Sequence, residues 1–178
     1  TYYMYRFGSA GFGAWRELAV HGMANEWVLS GQCQHFPLLY HARVLPIVTP
    51  ALDPAGGAQI WGACPAIQQR AAAVASSTCS VALLLESVPL TLHSWLPGAL
   101  DQHADPAALL DGLERALTNL LGFTLGQGLL HMDAHLENVL TDGEHLYLSD
   151  YGLALSRSFT LTPEELRFFD RHRTYDLC

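Results

Sequence analysis

The chain has 178 residues, half of them apolar, and a formal charge of −8 at neutral pH. That acidic balance argues against a nucleic-acid partner, which needs a basic face, and no run of about 18 uninterrupted apolar residues or basic-then-apolar leader marks a membrane partner or secretion, so a cytoplasmic protein is expected. Cys33, Cys64, Cys79 and Cys178 lack CxxC spacing and indicate neither a zinc ribbon nor a disulfide framework.

In chain order, TYYMYRF reads as a strand carrying Arg6. Gly8, Gly11 and Gly13 follow it in GSAGFG; no lysine comes after them, so they are a flexible turn into a helix rather than a phosphate loop. The helix covers RELAVHGMANEWVL and ends near Gly31. Residues 48–80 are less regular and read as an insertion or a loose loop with a helix, without repeat or chemistry. VALLLESV, residues 81–88, is a buried strand running out into a polar segment, and TLHSWL, residues 91–96, a short helix ended by Pro97-Gly98. Asp105-Pro106 opens a longer helix to Leu121, whose leucines at 109, 110, 113, 117, 120 and 121 recur at helical spacing and belong to the core. Near the end, Thr162 with Glu165 three residues on and Pro163 between them form a capping box.

The most informative segment is HMDAHLENVLTDGEHLYLSDYG, from His131 to Gly152. Asp142-Gly143 closes tight hairpins, and Val139, Leu140, Leu146 and Leu148 suit short strands on either side. Such a hairpin returns Asp150 to the end of the ladder that holds Asp133 and Asn138. The arrangement suits phosphoryl transfer, where catalysis is mostly positioning and charge neutralisation. Asp133 would orient and deprotonate an acceptor hydroxyl, while Asn138 and Asp150 supply oxygen ligands to magnesium. Two other readings stay open: His131, Asp133 and His135 as a zinc site on an extended strand, or a polar loop beside a buried hairpin.

His131-x-Asp133-x-x-x-x-Asn138 followed by Asp150-Tyr151-Gly152 resembles the catalytic loop and Asp-Phe-Gly motif of the protein-kinase-like superfamily. His135, two residues after Asp133, is similar to the aminoglycoside and choline phosphotransferase branch and to bacterial kinase-like proteins. The resemblance implies an α+β, two-lobe fold with ATP and Mg2+ as cofactors and a hydroxyl-bearing acceptor, a small molecule or a protein. His131, Asp133 and His135 are then the catalytic set, and Asn138 and Asp150 the metal ligands. NEWVLSGQCQHFPLLYHARVLP resembles the third helix of the N-lobe running into the following turn and strand, with Glu26 as its ion-pairing residue and Glu17 as a competing position. Residues 81–88 resemble the strand leading into the hinge, with Leu85 as gatekeeper and Glu86 to Val88 facing adenine.

The resemblance divides the chain into a reduced N-lobe, residues 1–86, and a hinge with a partial, mostly helical C-lobe, residues 87–178. It also exposes departures. No strands with a glycine-rich loop precede Arg6, and the chain has no lysine: all nine basic side chains are Arg. The family's phosphate-contacting lysine maps near Arg6, whose planar fork is a different shape. Thr162-Pro163-Glu164 resembles the end of an activation segment, yet follows Asp150 too closely for a usual one, so the helix-cap reading is preferred. Three alternatives remain: a partial chain, a reduced kinase completed by self-association or a partner subunit, or a pseudokinase that binds without catalysing.

Overall fold

The computed structural model describes residues 13–46, 72 and 76–177. Helix α1 spans Ala14–Leu29 and buries Val20, His21, Ala24 and Trp27, a stripe one turn apart on a single face. Its N-cap, Gly13, offers no side chain to the first turn, while its C-terminus is closed by Ser30 and by Gly31 in the left-handed region at φ 73°. The chain then turns through His35, Phe36 and Pro37 into strand β1, Leu39–Leu45, which pairs antiparallel with β2, Ser80–Leu85. The ends of β1 and α1 are tied where the Leu39 N–H donates to Asn25 Oδ1 at 3.0 Å.

Strand β3, Leu90–Thr91, leads directly into α2, Leu92–Gln102, capped by the Thr91 hydroxyl accepting from the Ser94 N–H. The expected stop at Pro97-Gly98 does not occur: α2 runs through Pro97 to Gln102. The proline removes one hydrogen bond to the carbonyl of His93, but His93 is exposed and water can satisfy it. Helix α3, Pro106–Gly126, starts where expected, with Asp105 accepting from the Ala108 N–H, and runs five residues past Leu121. Thr124 is buried in that added turn, beside Phe123, so tertiary packing extends the leucine pattern.

The remainder is built from short strands: β4, Leu129–Leu130; β5, Val139–Thr141; β6, Leu146–Leu148; and β7, Leu155–Ser156. They form a three-stranded β3-β5-β6 sheet and a β4-β7 pair. Helix α4, Pro163–Arg171, carries the complete capping box, and a 3-10 turn, Tyr175–Leu177, follows.

A single apolar cluster joins Val20, Ala24, Trp27 and Phe36 to Leu92, Leu120, Leu121, Leu129, Val139, Leu146, Leu148 and Tyr151. The core therefore continues across residue 86. Its densest point is an aromatic cluster in which Trp27 and Phe36 lie 5.3 Å apart and Phe123 of α3 stands edge-on to Trp27, also at 5.3 Å. His35 secures this turn to β6: its carbonyl accepts from the Leu148 N–H at 2.9 Å and its Nδ1 meets the Leu146 carbonyl at 2.9 Å. Through these contacts α1 is seated against the β5–β6 hairpin.

Candidate phosphoryl-transfer site

The hairpin forms as its sequence implies, with Val139 opposite Leu148 and Thr141 opposite Leu146. Asp142 organises the four-residue loop: Oδ1 accepts from the N–H groups of Glu144 and His145, and Oδ2 accepts from the Tyr147 hydroxyl. These donors hold the Asp142 carboxyl well below the usual carboxylate range, and burial with the adjacent carboxylate pushes the Tyr147 phenol up to about 12. At the open end of the ladder, the Ser149 N–H and hydroxyl both donate to the Asn138 carbonyl at 2.9 Å. Asp150 is the next residue, so the ladder delivers it beside Asn138.

Asn138 is the pivot of the site. Its Nδ2 donates to the Asp133 carbonyl at 2.9 Å and to Asp133 Oδ2 at 3.2 Å. With both amide hydrogens directed at Asp133, Oδ1 remains as the acceptor oxygen. Asp133 is partly exposed, and His135 Nε2 approaches its Oδ1 at 3.8 Å. His135 is itself exposed and its Nδ1 accepts from the Glu137 N–H.

Among the described residues two non-glycines have left-handed backbone, and both lie here: Met132 at φ 69° and Asp150 at φ 61°. Such conformations cost about 1–3 kcal/mol each and persist where surrounding contacts over-determine them. Asp150 is supported by the Gly152 N–H donating to its Oδ1 at 3.2 Å, and a Cβ at Gly152 would press on that oxygen at 3.3 Å. Met132 is held from a distance in sequence: the N–H groups of His131 and Met132 donate to the two carboxylate oxygens of Asp176 at 2.6 and 2.8 Å. Sequence reading passed over Asp176, because a partner 44 residues away leaves no local pattern.

His131 is fully buried and both ring nitrogens are engaged within the protein. Nε2 meets the Ser149 carbonyl at 2.8 Å and Nδ1 accepts from the Asp133 N–H at 3.3 Å. That pattern fits the neutral ring with its proton on Nε2, and burial lowers its pKa. His131 thus pins the loop to the segment before Asp150. The zinc arrangement of His131, Asp133 and His135 is correspondingly unformed; among the described residues no three His, Cys, Asp or Glu side chains converge as a metal-binding group. Asn138 Oδ1 and the Asp150 carboxylate do fit magnesium, which favours hard oxygen donors and takes only one or two from protein when phosphates and water supply the rest.

On α1, the carboxyl of Glu17 feels this site. Burial first, and then the Asp150 charge, raise the Glu17 pKa. Glu26 lies in the exposed last turn, roughly 13 Å further along the helix axis. One turn beyond Glu17, the buried His21 stands edge-on to Tyr151 at 4.6 Å, and Tyr151 stands edge-on to His131 at 5.6 Å. Burial lowers the His21 pKa to about 4, opposed by Asp150, and its Nδ1 has no hydrogen-bond partner among the described residues. Tyr151 donates to the Leu148 carbonyl at 2.6 Å, and burial drives its pKa upward. The row His21–Tyr151–His131 therefore joins α1 to the loop that carries Asp133 through neutral rings. The periodicity of the α1 stripe was the available signal for Glu17, since a residue four before buried His21 shares its face.

Residues Glu86 to Val88 follow β2. The Glu86 N–H donates to the Leu38 carbonyl at 2.8 Å, and its Oε2 accepts from the Leu38 N–H at 3.1 Å. Glu86 is thereby fixed at the mouth between the β1–β2 pair and β3. Arg6 lies outside the described residues. Beside Asp133 and His135, a cleft of about 560 Å³ is bounded on its far side by Arg171, His172 and Tyr175. No helix among the described residues is long and apolar enough to cross a membrane. No family model matches this chain, and no curated protein matches it.

Proposed function

We propose that this protein is an ATP- and magnesium-dependent phosphotransferase of protein-kinase-like, two-lobe architecture that transfers the γ-phosphoryl group to a hydroxyl acceptor. The observation that carries the reading is the β5–β6 hairpin. It sets Asp150, in left-handed backbone, beside an Asn138 that is already bonded to Asp133. In this reading three side chains spread over 18 positions of sequence would serve one oxygen-rich centre.

In this reading Asp133 accepts the proton of the acceptor hydroxyl, or orients that hydroxyl toward the phosphorus. Asn138 holds Asp133 in place with Nδ2 and presents Oδ1 to magnesium, as Asp150 presents its carboxylate. The bound magnesium would neutralise charge on the β- and γ-phosphates. Backbone groups of Glu86 to Val88 would meet adenine, and the cleft beside Asp133 and His135 would receive the acceptor. His131 and Tyr151 act as supports. In this reading Glu17, rather than Glu26, is the acid that α1 would offer to the site, and Arg6 would supply the positive charge that a lysine supplies elsewhere.

The absence of lysine favours one second reading, a nucleotide-binding pseudokinase acting as a scaffold or regulatory partner. Phosphate release and transfer from γ-labelled ATP separate the two. The enzyme reading expects magnesium-dependent turnover that Asp150→Ala abolishes; unchanged turnover in that variant would sink it, and nucleotide stabilisation without turnover would favour the second reading.

A further inference from the structure

The first turn of α1 carries Glu17, one turn before the His21 that meets Tyr151, yet it lacks a side-chain cap because its N-cap is glycine. What holds it comes from the far end of the chain. Arg16 Nη1 donates to Glu165 Oε1 on α4 at 3.3 Å, and their side chains are only 13% and 6% exposed. Glu165 is rigidly placed: its other oxygen accepts from the Thr162 N–H at 2.8 Å, and its own N–H donates to the Thr162 hydroxyl at 3.2 Å. One carboxylate thus closes the capping box with Oε2 and grips α1 with Oε1. The Arg16 guanidinium also lies over the Phe159 ring, 4.9 Å from its centroid. Two turns along α1 on the same side, Met23 Sδ accepts from the Ser158 hydroxyl at 3.4 Å. The segment after Tyr151 therefore runs along the face of α1 next to Glu17.

We propose that the Arg16–Glu165 pair is a latch by which α4 sets the position of α1, making both positioning residues that act on phosphoryl transfer through Glu17. The catalytic half of this rests on the phosphotransferase reading; the mechanical half does not. A surface ion pair would do little. This one is largely withdrawn from water, so losing either partner strands the other's charge, and α1 has no cap of its own to fall back on. Because Glu165 is fixed by the capping box, the latch needs no added phosphate on the segment between Asp150 and α4.

Glu165→Gln is the informative variant, since glutamine preserves the capping box while removing the charge. Hydrogen exchange on the whole chain should show residues 14–20 exchanging at least about tenfold faster in Glu165→Gln and in Arg16→Met, with α3 unaffected and Arg16→Lys close to wild type. Unchanged exchange at residues 14–20 would overturn the latch whether or not the protein turns over ATP. In the turnover assay both variants should lose about tenfold in kcat with KM for ATP within about twofold. Arg16→Met should add nothing in a Glu17→Gln background. Losses that multiply would overturn the route through Glu17. A wild-type protein that transfers no phosphate would remove the phosphotransferase reading, and the exchange result would still decide the latch.

Discussion

Asp176 offers the sharpest test of how the loop that carries Asp133 is held. Its two oxygens receive the N–H groups of His131 and Met132 at 2.6 and 2.8 Å, and the second holds a buried methionine at φ 69°. Asparagine can reproduce only one of these acceptors and sets its amide hydrogens against the other N–H. Hydrogen bonds to a charged group contribute about 1.5–3 kcal/mol each, and Asp176 is only partly buried, which favours the low end. Losing one bond and stranding one donor should cost Asp176→Asn about 2–3 kcal/mol. For a chain of this size that corresponds to roughly 4–12 °C in Tm. The loss should also reach Asp133, the next residue, because Met132 is free to leave the left-handed region. A displacement of about 1 Å at a reacting group can cost on the order of 100-fold. Calorimetric unfolding and a turnover assay check the two effects. A variant with unchanged Tm and unchanged turnover would refute the idea that Asp176 sustains the strained loop.

Substitution on α1 separates its two acids: Glu17→Gln should lower turnover at least about tenfold, whereas Glu26→Gln should stay within about twofold of wild type, as steady-state kinetics would show. His21 gives a pH prediction of definite sign. Its pKa falls from 6.5 to about 4 on folding, so above pH 6.5 both states are neutral, and as pH drops the unfolded state takes the proton first. Stability should be lost progressively between pH 6.5 and 4, by about 3 kcal/mol at most. Denaturant midpoints at pH 7.5 and 5 should therefore differ less in His21→Leu than in wild type. Phe36→Ala should cost about 3–5 kcal/mol, because it empties the centre of the Trp27–Phe36–Phe123 cluster; urea unfolding measures it.

Local chemistry made the hairpin, the capping box and the start of α3 legible from sequence. Asp142-Gly143, Thr162 with Glu165, and Asp105-Pro106 each satisfy backbone groups within four residues, so the pattern and its cause sit together. The pairing of Ser149 with Asn138 at the open end of the ladder followed from the hairpin register for the same reason. What escaped was set by distant partners. Leu92 and Trp95 belong to the core, and α2 continues through Pro97 despite its breaker. His131 is fixed through both ring nitrogens, one of them by the Ser149 carbonyl 18 residues on. Arg16 and Glu165 meet across 149 positions, and Asp176 reaches back 45 to His131. Neither pairing has a periodicity to betray it.

The central claim is that Asp150 and Asn138 form the metal side of a nucleotide site. Calorimetric titration of ATP into the wild-type protein and into Asp150→Asn, each with and without magnesium, tests it most directly. The account predicts binding that strengthens with magnesium in the wild type, and a magnesium effect that disappears in Asp150→Asn while the fold persists. Magnesium-dependent ATP binding of equal strength in both proteins would contradict it.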